Sequence, residues 1–90
     1  MKQTRHKGGE TYVFDWHDAK TEKPPQETWY WAKCRLGNDT KVWKLYWRTG
    51  CVGTKWWTWS EDGQGYVPTV QSMVEAWAEI TEANEEYPEY

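Results

Sequence analysis

Two histidines are the side chains best suited to proton transfer in this 90-residue chain, and only His17 adjoins a carboxylate, that of Asp18. Neighbouring residues of a β-strand point to opposite faces, so His17 and Asp18 make a poor catalytic dyad. His6 falls in a polar, glycine-containing segment, and Glu61 and Asp62 fall in a turn-rich stretch. A domain this small seldom builds the cleft that paired catalytic carboxylates need. We therefore predict that the protein is not an enzyme.

The two cysteines, Cys34 and Cys51, have no second cysteine or histidine at the short spacing of a zinc site. A small secreted scaffold normally has more than one disulfide, so two free thiols are the preferred interpretation, and their pairing stays open. No glycine-rich loop of the phosphate-cradling kind is present. The sequence therefore predicts neither a bound metal nor a cofactor.

Aromatic residues dominate the apolar composition, with nine tryptophans, six tyrosines and one phenylalanine. Each aromatic side chain can bury roughly 150–250 Å², and a domain of this size has little interior. Segment 55–60 (KWWTWS) alone contains three tryptophans. Because aromatic residues and arginine dominate binding hot spots, some of these rings are candidates for a binding surface.

Charge is distributed unevenly along the chain, whose net charge is −3. No lysine or arginine follows Lys55, whereas the end of the chain is rich in glutamate. A nucleic-acid-binding domain is usually basic, which argues against nucleic acid as a partner. No apolar run is long enough to span a bilayer, and none follows the basic start as in a secretory signal. We expect a cytoplasmic protein with no membrane partner.

The elements that would position the aromatic rings are short strands. Segments 11–16 (TYVFDW) and 55–60 are rich in β-forming residues, and two prolines exclude 18–27 from a paired strand. Apolar spacing fits a short helix near 69–80, whereas strand alternation also fits 73–80. The sequence predicts a mainly β, or α+β, fold with a small antiparallel sheet of about five strands.

The strongest local signal is a central hairpin over 28–48, with turn residues at 37–39. A three-residue loop would place Leu36 opposite Thr40. We prefer this register to that of a two-residue loop because it gathers large apolar residues on one face. This apolar face would consist of Trp29, Trp31, Trp43, Leu45 and Trp47.

The opposite face of the hairpin would then carry two tyrosines and two basic residues. In segment 55–60, alternation places Trp57 and Trp59 on one side, as core, and Trp56 on the other. We predict a binding surface made of Tyr30, Lys44, Tyr46, Arg48 and Trp56, with a core position as the equal alternative for its three rings. Self-association would also bury this face, so we predict a homo-oligomer.

The chain divides into three parts by composition. Residues 1–10 read as a flexible arm because they are polar and contain two glycines. Residues 11–82 form a single small β-rich domain, and residues 83–90 form an acidic tail that aids solubility.

Two short motifs carry a resemblance to a known family. The first is Trp16-His17-Asp18-Ala19 followed by Pro24-Pro25, and the second is VEAWAEI at 74–80. Over residues 14–82 the chain resembles a family of small, uncharacterised proteins of bacteriophages and prophages. These pair an early W-x-x-A/V stretch ending in proline with a late V-x-x-W segment. The chain departs from that pattern by its many tryptophans and its acidic end.

The resemblance implies a small antiparallel β fold in which 74–80 is a strand and Trp16 and Trp77 are structural. It lends no catalytic residue. We expect an accessory protein of a phage or mobile element that acts in the host bacterial cell and inhibits a defence system. It would do so by occluding an immune protein complex or by sequestering a nucleotide signal. The alternatives are a carbohydrate-binding module and a structural or assembly protein of a phage.

Overall fold

The computed structural model describes residues 1–48, 56–59, 66–68 and 73–88. Within these residues the chain forms eight strands and no α-helix. The strands are β1 (Lys2–Lys7), β2 (Glu10–Asp15), β3 (His17–Asp18), β4 (Trp29–Leu36), β5 (Asp39–Trp47), β6 (Trp56–Trp59), β7 (Tyr66–Pro68) and β8 (Val74–Ala78). All of their pairings are antiparallel, which confirms the mainly β prediction.

The strands form two sheets. One contains only β1 and β2, and the other has six strands in the order β3-β8-β4-β5-β6-β7. The last strand of the chain, β8, is thus inserted between β3 and β4. The strand nearest the C-terminus therefore pairs with two strands from the first half of the chain, one of which, β4, belongs to the central hairpin of β4 and β5.

Strand β8 shows that residues 74–78 of the ambiguous segment are a strand, and its pairing explains the helical spacing. Residues 69–72 of the expected helix lie outside the described residues. Ala76 pairs with Lys33 and Val74 pairs with Cys34, so one extra residue, Glu75, is accommodated by a bulge. The bulge brings Val74 and Trp77 into the same core cluster although they are three residues apart. The three-residue interval between buried apolar side chains, which is typical of a helix, therefore occurs here in a strand with a bulge.

The predicted register of the central hairpin is wrong. Leu36 pairs with Asp39 across a two-residue turn, Gly37-Asn38, and every cross-strand pair differs from the expectation. The backbone φ of Gly37 is +65°, and Asn38 has a negative φ. Glycine at the first central position is the pattern of a type II′ turn, whose twist matches that of the flanking strands. Turn geometry, and not the gathering of tryptophans on one face, sets the register.

One face of the six-stranded sheet carries the first core cluster. Its buried members are Tyr30, Ala32, Cys34, Leu45, Trp47, Trp56, Val74 and Trp77. The loop after β3 also contributes: Trp77 Nε1 donates to the Glu22 carbonyl at 2.9 Å, and Pro24 is buried. Cys34 is a free thiol in this cluster, and Cys51 lies outside the described residues.

The opposite face carries the second core cluster, which consists of Phe14, Trp16, Trp31, Val42, Ala78 and Tyr87. The β1–β2 hairpin and the turn at 81–87 supply the covering residues. The expected flexible arm at 1–10 is therefore corrected, because β1 pairs with β2 along its whole length. The expected tail at 83–90 is corrected as well, since Asn84 and Tyr87 are buried.

The cover on this second face also bears on self-association. The homo-oligomer prediction rests on the second face of the predicted hairpin, and the observed register divides the residues of that face. Tyr30 lies in the first core cluster, whereas Tyr46 lies on the face that β1–β2 and the 81–87 turn partly cover. The oligomer therefore stays a prediction without that argument. No helix in the described part of the chain is long and apolar enough to cross a membrane.

Candidate functional site

Three partly buried rings lie side by side on adjacent strands beyond the covered part of the second face. Trp29 of β4 pairs with Tyr46 of β5, and Tyr46 pairs with Trp57 of β6. Directly paired residues share a face of the sheet, so Trp29, Tyr46 and Trp57 form a line across it, which we call the aromatic row. With strands about 4.8 Å apart, the row spans roughly 10 Å.

Arg48 lies at one end of the aromatic row. Its guanidinium carbon is 5.8 Å from the centre of the Trp57 ring, and Arg48 has no ion-pair partner among the described residues. Arg48 also lines a cleft of about 220 Å³ together with Glu27, Tyr46 and Trp57. The Tyr46 hydroxyl donates to the Glu27 carbonyl at 3.3 Å, which fixes the tyrosine at the wall of this cleft. A cation, two rings and a concave space therefore meet at one place.

Lys44 lies on the same face as Tyr46 and Arg48 but at the covered end. Its ammonium is 5.1 Å from the centre of the buried Trp31 ring and 3.5 Å from the Glu85 carbonyl. Lys44 thus contacts the 81–87 turn, whereas Arg48 lines the cleft. The structure brings Tyr46 and Arg48 together and leaves Lys44 at the edge of the site.

Tyr30 and Trp56 were also predicted to be binding residues, and the structure places both in the first core cluster. Tyr30 is 3% exposed and Trp56 is 4% exposed. The Tyr30 hydroxyl donates to the Gln26 carbonyl at 3.0 Å, and burial raises the pKa of this phenol. The position of Tyr30 follows from the two-residue turn, which pairs it with Leu45 instead of Tyr46. The position of Trp56 follows from its pairing with the buried Trp47.

Sequence reasoning missed Trp29 and Trp57, which were assigned to the core. Both are only partly buried and belong to the aromatic row. Trp31 and Trp47 are buried as predicted, Trp43 is partly buried, and the Trp59 side chain lies outside what the structure describes. The signal that would have found the row is the Gly-Asn pair at the turn, which is typical of a two-residue hairpin loop.

The residues first considered for proton transfer have other contacts. His17 Nδ1 lies 2.8 Å from a Glu22 carboxylate oxygen, and its ring stacks on Trp77 with centres 4.4 Å apart. Asp18 instead accepts a hydrogen bond from the Lys20 backbone N–H at 2.8 Å. Among the described residues, no three histidine, cysteine or acidic side chains are grouped as a metal site would require.

Comparison with models of protein families, with curated proteins and with solved structures gives no match to this chain. The chemistry of the site is therefore argued from its own geometry.

Proposed function

We propose that this protein is a non-enzymatic binding protein that holds a nucleotide at the aromatic row. The observation that carries this proposal is the meeting of Tyr46, Trp57 and Arg48 at one cleft of about 220 Å³. A base can stack on an aromatic ring, at roughly 1–3 kcal/mol per base. A guanidinium beside that ring can donate two hydrogen bonds to a phosphate. In the proposed site an aromatic ring would contact the base, and the Arg48 guanidinium would contact the phosphate.

The geometry favours a nucleotide over a carbohydrate. The Trp29 and Tyr46 rings meet edge to face, with an angle of 80° between their planes and 5.5 Å between their centres. A flat platform for a run of sugar rings needs coplanar aromatic faces, which this pair does not provide. Arg48, with no ion pair in the described part of the chain, adds a charge that a neutral sugar would not use.

The test is a titration with a panel of mononucleotides and cyclic nucleotides, followed by tryptophan fluorescence and calorimetry. We expect binding that weakens about tenfold or more in Arg48→Gln and in Tyr46→Ala, because each loses a charge-assisted hydrogen bond or a stacking surface. Arg35→Gln is the matched control, since Arg35 is an exposed arginine that pairs with Glu75 at 2.6 Å, away from the row.

Equal weakening in Arg48→Gln and Arg35→Gln would contradict the site, because it would reflect loss of general positive charge. Absence of binding by any nucleotide in the panel would also overturn the proposal. Strong binding of a neutral oligosaccharide, with Arg48→Gln unaffected, would instead favour the carbohydrate-binding alternative.

For the biological role, we propose that sequestering a nucleotide signal is how the protein inhibits a bacterial defence system. Two points support this role: the resemblance that we infer from the motifs around Trp16 and Trp77 to small phage proteins, and a cleft in which aromatic rings and an arginine lie together. The test is the plating efficiency of a phage on bacteria that carry a nucleotide-signalling defence. The protein should restore plating, and Arg48→Gln should not. Full restoration by Arg48→Gln would separate any anti-defence effect from the aromatic row.

A further inference from the structure

A second cleft, of about 550 Å³, lies at the end of the six-stranded sheet where β3, β8 and β4 are neighbours. Its walls come from the segment that leaves β2, from the turn after β3, and from neighbouring positions of β4 and β8. Lys33 of β4 pairs with Ala76 of β8, and Asp18 of β3 pairs with the same Ala76. Three adjacent strands thus fix the positions of Asp18, Lys33 and Glu75, whereas Lys20 and Glu22 follow β3.

Each carboxylate that lines this cleft already has a donor. Glu22 is 2.8 Å from His17 Nδ1, and Glu75 accepts from Arg35 Nε at 2.6 Å. Asp18 accepts from the Lys20 backbone N–H at 2.8 Å. The ion pair with Glu75 also raises the pKa of Arg35. These carboxylates are therefore committed to partners within the protein.

The lysines that line the cleft have no such partners. Lys33 Nζ is 4.7 Å from the centre of the Trp16 ring and forms no hydrogen bond or ion pair with the described residues. The Lys20 ammonium likewise has no hydrogen-bonding or ion-pair partner in the described part of the chain. Burial, followed by the nearby charge of Arg5, lowers the pKa of Lys33, and Glu75 opposes this shift. An anionic ligand in the cleft would therefore meet an ammonium that can still donate charge-assisted hydrogen bonds.

We propose that this cleft binds a small carboxylate, which places its anionic group between Lys33 and Lys20 and its apolar part against Trp16 and Ala76. A singly charged carboxylate fits better than a phosphate dianion, because the protein's own carboxylates line the same cleft and repel a second negative charge. The size of the cleft accommodates a carboxylate with one ring or a short aliphatic chain. This site is separate from the aromatic row and does not depend on the nucleotide proposal.

The test is an NMR titration of the whole chain with benzoate and, separately, with inorganic phosphate. We expect benzoate to shift the Trp16 indole N–H and the Lys33 backbone amide, with no shift at Arg48 or Tyr46. Lys33→Gln should weaken benzoate binding about tenfold, because it removes a charge-assisted hydrogen bond and keeps much of the aliphatic stem. Lys20→Gln provides a second variant at an exposed residue, where folding is not at risk.

The matched control is Lys23→Gln, since Lys23 is an exposed lysine of the same loop that does not line the cleft. Lys33→Arg should keep more affinity than Lys33→Gln, which a purely structural role for the stem would not produce. Equal loss in Lys23→Gln and Lys33→Gln would overturn the site. So would the absence of benzoate shifts at Trp16. Phosphate binding tighter than benzoate would overturn the choice of a carboxylate.

Discussion

Trp56 and Trp57 are neighbours in β6, yet they occupy different environments. Trp56 is buried against Trp47, with ring centres 4.8 Å apart, in the first core cluster. Trp57 points to the other face, stays partly exposed, and lies under Arg48. Residue type is the same in both cases, so the role of each ring is decided by which face it occupies and by what covers that face.

A second pair of tryptophans shows the effect of the cover alone. Trp29 and Trp31 are on the same face of β4, two residues apart. Trp31 is completely buried, and its indole N–H donates to Asn84 Oδ1 at 2.9 Å. Trp29 lies past the edge of the second core cluster and remains partly exposed. The ring that stays partly exposed on this strand is therefore the one that lies outside the cluster covered by the β1–β2 hairpin and the 81–87 turn.

The largest expected effect comes from replacing the two neighbours in β6 separately. Trp56→Ala should lower the free energy of unfolding by about 3–5 kcal/mol, because it leaves a cavity in a packed cluster. Trp57→Ala should lower the free energy of unfolding by only about 1 kcal/mol. Its main effect should be loss of the nucleotide binding that we propose for the aromatic row. Urea unfolding of both variants measures the difference. Comparable losses would mean that Trp57 is a core residue and that the aromatic row is structural.

The next effect concerns the cover over Trp31. Asn84 is 1% exposed and accepts hydrogen bonds from Trp31 Nε1 and the Thr81 N–H. Its amide donates to the carbonyls of Val13 and Glu79, at 3.0 and 3.1 Å. Asn84→Ala leaves buried groups unpaired and should cost about 2–4 kcal/mol of unfolding free energy.

The control for Asn84 is Glu82→Gln, an exposed change in the same turn, which should alter stability by no more than about 0.5 kcal/mol. Chemical unfolding gives the magnitude, and the Trp31 indole N–H resonance reports the lost hydrogen bond. If the two variants are equally stable, the 81–87 turn does not hold the cover in place.

Cys34 tests the burial of the first core cluster, on the face of β4 opposite to Trp29 and Trp31. Burial raises the pKa of its thiol to about 11 from the ordinary 9.0. The native state keeps this proton at a pH where the unfolded chain releases it. The resulting stability is present below pH 9 and is lost as the pH rises through about 11. The Cys34→Ala variant lacks this loss, so its stability curve should diverge from that of the parent by about 2 kcal/mol near pH 11.

Unfolding free energies measured from pH 7 to pH 11 test this prediction. Cys51 is present in both proteins, so its titration cancels in the comparison. Parallel curves for the two proteins would show that the Cys34 thiol is not buried in the native state.

The strands were largely predictable from the sequence, whereas the apolar pattern alone did not predict their register. The β-forming composition of 28–36, 40–48 and 55–60 predicts strands close to β4, β5 and β6. A parity argument for register requires one polar face, and both faces of this hairpin bear large buried side chains such as Trp31 and Leu45. The apolar pattern therefore could not distinguish a two-residue loop from a three-residue loop. For this reason the predicted binding surface combines residues that lie on opposite faces of the observed sheet, such as Tyr30 and Tyr46.

The contribution of the chain ends was missed for a different reason. All six residues of strand β1 are polar, so the strand has no apolar face of its own. Its order comes from pairing with β2 and from distant contacts, such as that of Arg5 Nε with the Tyr87 hydroxyl at 2.9 Å. Contacts across such a distance in sequence leave no local periodicity. The cleft lined by Lys33 and Lys20 was missed in the same way, because the strands nearest to these residues, β4 and β3, are neighbours only through β8.

The smallest effect tests the turn that separates the aromatic row from the core rings. Gly37→Ala should cost about 1–2 kcal/mol of unfolding free energy, because a residue with a Cβ is strained at a φ of +65°. Nothing lies within 4 Å of the position that this Cβ would take, so the cost is one of backbone conformation alone.

The double variant Gly37→Asn, Asn38→Gly supplies the other favoured two-residue turn, type I′, and should keep the register and most of the stability. Cross-strand NMR contacts between Trp29 and Tyr46 report the register directly. If the double variant shifts Trp29 opposite Trp47 while remaining folded, the pairing is set by side-chain packing, and the division between core and aromatic row no longer depends on the turn.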